Sequence, residues 1–214
     1  MNFDELEKLA YKYMGKKQSH KEREIGAAYY HGKRVANGVI ELRKRLFRDD
    51  SMDDILRCAG MFHDIGKGIE PHNHTGAVLV CDLLKDEMTE SELEHVCKLI
   101  SAHCDRHQQT NDHSWDEKLL QDADLLDHYG SQGIWLSINY YAYTTQQEMN
   151  QVPAFYKGEW QAQISEHREL LNYDLSKKIF DEKVSFEKAI ADRMEIEKNG
   201  VYLFPSSFDC EVPL

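Results

Sequence analysis

The chain has 214 residues, 41% hydrophobic and 30% charged, with a formal net charge of −12 at pH 7. That length suits one domain, or one core with a helical extension, and suffices to bury a substantial apolar core. The acidic balance argues against bulk binding of DNA or RNA, whose phosphates it repels, and no apolar run approaches the roughly 20 residues that a membrane helix needs.

Glycine and proline are sparse, 12 and 4 residues. Apolar spacing of three and four dominates over strand-like alternation, which predicts an all-α fold. Residues 3–14 read as a short amphipathic helix, with Phe3, Leu6, Leu9, Ala10 and Tyr13 on one side. A second helix is predicted from Lys21 to Phe47 and carries His31. Ser51-Met52-Asp53-Asp54 reads as an N-cap and an acidic first turn. The helix it opens runs out at His63-Asp64-Ile65-Gly66-Lys67, where Gly66 and Gly68 let the backbone turn away. After a loop with Pro71, a helix is expected from about Asn73–Thr75. Thr89-Glu90-Ser91-Glu92 matches a capping box and opens a helix through His103. Asp105 to Trp115 is polar and reads as a loop, and helix resumes near Asp116 through Asp124 and Leu125. Beyond Gly130 and Gly133 lies an aromatic helix with Trp135, Tyr140, Tyr141 and Tyr143. At helical spacing these aromatics, like Trp115, suit a core, although they would also suit stacking on a base. The chain reads as irregular around Pro153 and Gly158. Helices are expected over 159–172 and 174–198, followed by a surface tail over 200–214. Residues 1–145 are thus expected to form the core, and 146–214 to pack on it.

The first residues, Met1 to Glu7, lack the basic start and apolar stretch of a signal peptide. Five cysteines, Cys58, Cys81, Cys97, Cys104 and Cys210, include no CxxC pair. Together these predict reduced thiols in a cytoplasmic protein. Most of these cysteines read as small core fillers. Cys104, beside His103, is either another filler or the border of a site.

The histidines matter by placement. His31 lies mid-helix, His63 and Asp64 end a later helix, and His72 and His74 begin the next. His103 ends the one after, and Asp124 lies on the helix that follows. Each helix of a bundle thereby offers an imidazole or carboxylate near one end. These are ligand types for Mn, Fe, Zn and Mg, and bundles build such sites from facing helices. On spacing alone, each histidine is more often a surface or satisfied core residue than a ligand.

The local strings narrow this. His31-Gly32-Lys33-Arg34-Val35, Ala59-Gly60-Met61-Phe62-His63-Asp64-Ile65-Gly66-Lys67 and Asp122-Ala123-Asp124-Leu125-Leu126-Asp127 occur in the order His…His-Asp…Asp. Over roughly residues 22–145 the chain resembles the HD-domain metal-dependent phosphohydrolases, especially small stand-alone bacterial ones. The resemblance implies an HD-type helical bundle with a C-terminal helical extension. It implies His31, His63, Asp64 and Asp124 as ligands of one divalent ion (Mn, Fe, Zn, Ni, Co or Mg). Where such proteins hold two ions, His103 and His72 match the further ligands, with His74 the fallback and Asp64 the bridge. Lys67 matches a lysine that contacts substrate phosphate, or is a solvated lysine after a helix end. Arg34, one turn after His31, is suited to a substrate phosphate or to a site carboxylate. Asp127, one turn past Asp124, supports the ligands or forms a helix-face salt bridge. His20, His95, His107, His113, His128 and His167 match no such position and read as ordinary, with His128 the nearest to the site.

The activity implied is hydrolysis of a phosphomonoester or phosphodiester in a small phosphorylated molecule or nucleotide, through metal-activated water oriented by Asp64. Cyclic dinucleotides fit less well, since Cys104-Asp105-Arg106-His107-Gln108 replaces the glycine-tyrosine-proline signature of that branch. The same ligands are compatible with a di-iron oxygenase or a non-catalytic nucleotide-sensing module.

Overall fold

A computed structural model describes residues 2–19, 21, 23–106, 112–140 and 151–203. Among these residues it contains ten helices and no strand. They are α1 (Phe3–Met14), α2 (Ala27–Leu46), α3 (Asp53–Phe62), α4 (His72–Leu84), α5 (Glu90–Ala102), α6 (Trp115–Asp127), α7 (Ser131–Tyr140), α8 (Val152–Lys157), α9 (Glu159–Glu169) and α10 (Asp174–Glu197). The all-α expectation holds, and none of the helices is long and apolar enough to cross a membrane. His20, His107, Tyr141, Tyr143, Cys210 and most of the expected tail lie outside the described residues.

The boundaries follow local chemistry. The α5 capping box forms as expected, with Thr89 N–H donating to Glu92 Oε2 at 3.0 Å and Glu92 N–H to Thr89 Oγ at 3.4 Å. α2 starts six residues later than expected, because Gly26 turns the chain at φ 80° and its N–H is held by Lys17 O. α3 is capped at Met52 without a side-chain bond, so Ser51 is not its cap, while the acidic first turn of Asp53 and Asp54 is present. Around Pro153, expected to be irregular, the six-residue α8 forms with the proline in its first turn, where the missing N–H costs nothing.

α2 packs on α3 and α6, α3 on α5, and α4 on α5. Val35, Ala36 and Val39 of α2 and Leu56, Ala59 and Phe62 of α3 are buried in one core that includes Leu99, Ile100, Leu119 and Leu120. Two glycines set the α2–α3 approach. A Cβ on Gly32 would overlap the Met61 carbonyl, and one on Gly60 would lie 2.8 Å from Ala36 Cα. The turn after α3 places Gly68 at φ 94°, as its glycine allows. Gly66 serves a different purpose, since a Cβ there would strike the first residues of α4.

The C-terminal helices share the core. Tyr129 packs on Phe180 of α10 at 4.3 Å and stacks on Trp160 of α9 at 4.8 Å. Asp122, fully buried on α6, accepts bonds from the backbone N–H groups of Asn172 at 2.8 Å and Tyr173 at 3.1 Å, at the start of α10. Glu187 of α10, also fully buried, accepts from Gly130 N–H at the start of α7. The expectation of uniformly reduced thiols is corrected at one pair. α4 and α5 bring Cys81 and Cys97 together with their Cα atoms 6.4 Å apart, and the sulfurs are bonded, within the reach of a disulfide. Cys58 is free and buried.

Two predictions follow from this packing. Burial raises the Glu187 carboxyl from 4.5 to about 8, so the fold favours its protonated form. Stability is therefore complete below the ordinary carboxyl value and falls as pH rises through about 8. Glu187→Gln keeps an acceptor for Gly130 N–H, and should flatten this loss and raise stability at pH 9 by on the order of a few kcal/mol. Urea unfolding at pH 5 and 9 measures it, and equal pH dependence in both proteins would refute the role of this carboxyl. Gly60→Ala should cost about 1–3 kcal/mol by overpacking α2 against α3, and an unchanged urea midpoint would show that the helices part freely there.

Candidate metal centre

The glycine-mediated contact between α2 and α3 brings His31, just before Gly32, against His63, just after Phe62. Their Nε2 atoms lie 3.1 Å apart, and the side chains are almost entirely buried. His63 and His103 occupy equivalent places, each ending its helix. His63 Nδ1 lies 2.9 Å from Gly60 O, and His103 Nδ1 lies 2.6 Å from Ile100 O. A carbonyl only accepts, so each Nδ1 carries the proton and each Nε2 turns a lone pair inward. His31 Nδ1 lies 2.7 Å from Asp127 Oδ2, which likewise makes it a donor. The end of α5 is itself fixed, because Asn73 Nδ2 donates to Ser101 O and Gln121 Nε2 to Ala102 O.

Asp124 of α6 reaches this group, with Oδ1 3.0 Å from His31 Nε2 and 3.5 Å from His63 Nε2. Asp64 lies on the other side. Its Oδ2 is 3.9 Å from His31 Nε2, and its Oδ1 is 3.4 Å from His72 Nε2 and 3.7 Å from His103 Nε2. Burial works against ionisation of both aspartates, but Arg106, His31 and His63 hold Asp124 well below the usual carboxylate range. His63, His103 and Lys67 do the same for Asp64. Burial also disfavours a cationic His31, yet hydrogen bonds to Asp124 and Asp127 outweigh it and raise that imidazole to about 9. The centre thus draws in positive charge where inward lone pairs and ionised carboxylates converge. That is the donor chemistry of a divalent ion, with acceptors behind each imidazole fixing its tautomer. The residues fit such an ion.

The structure brings together His31, His63, Asp64, His72, His103 and Asp124, the six ligands expected from the sequence. His74 is exposed, whereas His72 Nε2 lies 3.4 Å from Asp64 Oδ1, which favours His72 over the fallback. Lys67 lies at the rim, its Nζ 3.4 Å from Asp64 Oδ1. Arg34 takes the second of its expected alternatives, donating through Nε to Asp127 Oδ1 at 2.8 Å and through Nη2 to Oδ2 at 2.9 Å. Asp127 therefore both supports His31 and pairs with an arginine. Asp122, two residues from Asp124, faces α10 and belongs to the fold.

Above His31 and Asp64 opens a cleft of 260 Å³, walled by Arg23, Arg34, Lys67, His128, Leu136 and Tyr140 among others. Three residues here escaped sequence reasoning. Arg106 donates to Asp124 Oδ2 and, at 3.2 Å, to Gln121 O. Arg23 lines the cleft from the segment expected to be helix. His128, read as ordinary, has its Nε2 3.6 Å from Asp124 Oδ1. Only His128 had a signal, its place beside Asp127. Trp135 and Tyr140 are 51% and 52% exposed, which corrects the core reading of α7, and Tyr140 belongs to the cleft wall.

Residues 28–129 match the family model described as HD domain. None of the curated proteins is significantly similar to the chain. Among solved structures, Bacillus subtilis YpgQ in complex with ADP is similar at 16% identity, with 91% of this chain and 96% of that one covered and a TM-score of 0.63. An HD-superfamily hydrolase from Bacillus thuringiensis is similar at 21% identity, over 92% and 98% of the two chains, with a TM-score of 0.61. A predicted HD superfamily hydrolase from an uncultured Thermotogales bacterium is similar at 20%, over 89% of each chain, with a TM-score of 0.58. At these identities the likeness is one of fold, and it extends through the C-terminal helices. The His…His-Asp…Asp strings gathered at one centre lie inside residues 28–129, the segment that matches the HD domain model, and the all-helical fold is that of an HD domain.

Proposed function

We propose that this protein is a metal-dependent phosphohydrolase acting on a small phosphorylated molecule or nucleotide. The observation that carries the reading is a buried His31–His63–Asp64–Asp124 cluster, of which His31 and Asp64 line a cleft whose walls also bear Arg23, Arg34 and Lys67. In a chain of net charge −12, cations gathered at one cleft favour an anionic ligand. A divalent ion held by the four cluster residues would lower the pKa of water toward neutrality and offset charge on a phosphoryl oxygen.

The protein's own groups supply the rest. Asp64, ionised at neutral pH, accepts a hydrogen bond from the attacking water and fixes its orientation. Lys67 Nζ donates to a phosphate oxygen and offsets charge that accumulates in the transition state. Arg34, held by Asp127, brings a fixed charge to the wall. Asp127 and the Gly60 and Ile100 carbonyls hold three imidazoles in one tautomer, so that their Nε2 atoms face the reaction. Leu136 and Tyr140 give the cleft an apolar, aromatic side suited to a base or sugar. The ADP complex of YpgQ makes nucleotides the first substrates to try.

The test measures metal per chain by mass spectrometry on protein purified without chelator, and phosphate release from nucleotides and simple phosphomonoesters across Mn, Fe, Zn, Ni, Co and Mg. His63→Ala and Asp64→Ala should each lose metal and reduce turnover by more than about a hundredfold. Full turnover in either variant would refute the assignment. Tight nucleotide binding without turnover in any metal would identify a sensing module instead, and iron-dependent oxygen consumption an oxygenase.

A further inference from the structure

We propose that Cys104 supplies a thiolate to a second metal position in this centre, formed with His72, His103 and one oxygen of Asp64, and that this position takes zinc or another thiophilic divalent ion. The inference rests on the metal-centre reading above and adds to it the identity of a ligand and the class of ion.

Four donor atoms converge there from three parts of the fold. Cys104 Sγ lies 3.2 Å from His103 Nε2 and 3.4 Å from His72 Nε2. Asp64 Oδ1 lies 3.4 Å from His72 Nε2 and 3.7 Å from His103 Nε2. A tetrahedron around zinc, with nitrogen, oxygen and sulfur arms of about 2.0–2.3 Å, has edges of about 3.3–3.8 Å. The four donor separations lie close to such edges, and His72, His103 and Cys104 offer donor atoms within 4.8 Å of one another. Both imidazoles are oriented from behind, His103 by Ile100 O and His72 by Glu70 Oε2 at 3.1 Å from its Nδ1. Each therefore presents Nε2 to the common point. His103 is 2% exposed, so its inward nitrogen has no solvent to serve as partner.

The sulfur decides the ion. Imidazole and carboxylate alone accept magnesium, manganese, iron or zinc with modest preference, whereas thiolate shifts the set toward zinc and away from the harder ions. On binding, the Cys104 S–H bond breaks and its proton passes to solvent, so one thiolate and the shared carboxylate balance the two positive charges. The competing occupant is Lys67, whose Nζ lies 3.4 Å from both Asp64 Oδ1 and His72 Nε2. Its side chain is 30% exposed at the cleft, which leaves it room to withdraw toward the substrate side as an ion enters.

Cobalt distinguishes these possibilities, because sulfur bound to Co2+ gives an intense near-ultraviolet charge-transfer band that nitrogen and oxygen ligands do not give. The full chain, stripped of metal, is titrated with Co2+ alone, beside Cys104→Ser and Cys104→Ala. Thermal melts of the metal-free proteins establish that the variants fold. The expected result is two ions per wild-type chain with the band. Both variants should retain one ion, lose the band and bind the second ion at least about tenfold more weakly. Zinc should also slow alkylation of Cys104, as located by peptide mass spectrometry. Two ions without the band would overturn the thiolate while leaving the metal centre standing. One ion without the band would mean that Lys67 keeps the second place. A band that persists in both variants would assign the sulfur to another cysteine and overturn the proposal. Failure to bind cobalt or any other divalent ion would remove the metal centre as well.

Discussion

The close approach of α2 and α3 is the constraint on which the centre depends. Gly32 against the Met61 carbonyl and Gly60 against Ala36 let two helix backbones meet where side chains normally keep them apart. Both glycines are neighbours of the chemistry, Gly32 next to His31 and Gly60 three residues before His63. The contact that completes the hydrophobic core therefore also sets the His31–His63 separation. The site shares its precision with the rigid packing beneath it.

A second economy lies at the helix ends. The last carbonyls of any helix lack intrahelical donors. At the ends of α3 and α5 the side chains of His63 and His103 fold back and donate to carbonyls three residues earlier. One bond satisfies an acceptor, selects a tautomer and aims the other ring nitrogen inward. The ring that lies mid-helix, His31, has no such carbonyl available, since those around it are spent within α2. It takes Asp127 as its acceptor instead, and Asp127 is held in turn by Arg34.

Much of this was legible in the chain. The 3.6-residue periodicity placed α1 to the residue, and the Thr89–Glu92 pair placed the start of α5. The order His31, His63-Asp64, Asp124 named residues that do converge. The failures share a physical pattern. α2 is shorter than its pattern predicts because a single glycine at positive φ, Gly26, outweighs the helix-compatible residues around it. The pairing of Cys81 with Cys97 depends on how α4 lies on α5, which local spacing does not encode. Arg106 and Arg23 come from irregular segments, where no periodicity says which way a side chain turns. Trp135 and Tyr140 had the spacing of core residues, but α7 lies at the margin of the bundle, so the same spacing exposes them. Sequence alone holds Cys104 between two roles, because only the meeting of α4 with α5 shows what lies beside it.

Asp122 carries a consequence that reaches beyond packing. Its carboxylate holds the N–H groups of Asn172 and Tyr173 just before α10, while Asp124, on the same helical turn, faces His31 and His63. Burial raises the Asp122 carboxyl even so, which makes it a poor residue to leave without its backbone donors. A short stretch of α6 is thus shared by two clients on opposite faces, and its free energy of ordering is spent once for both. Linkage of this kind is reciprocal. If an ion bound at Asp124 steadied α10, a docked α10 would raise the affinity for the ion by the same factor. The C-terminal helices, remote from this cluster in sequence, are thus anchored to the same stretch of α6 that carries Asp124.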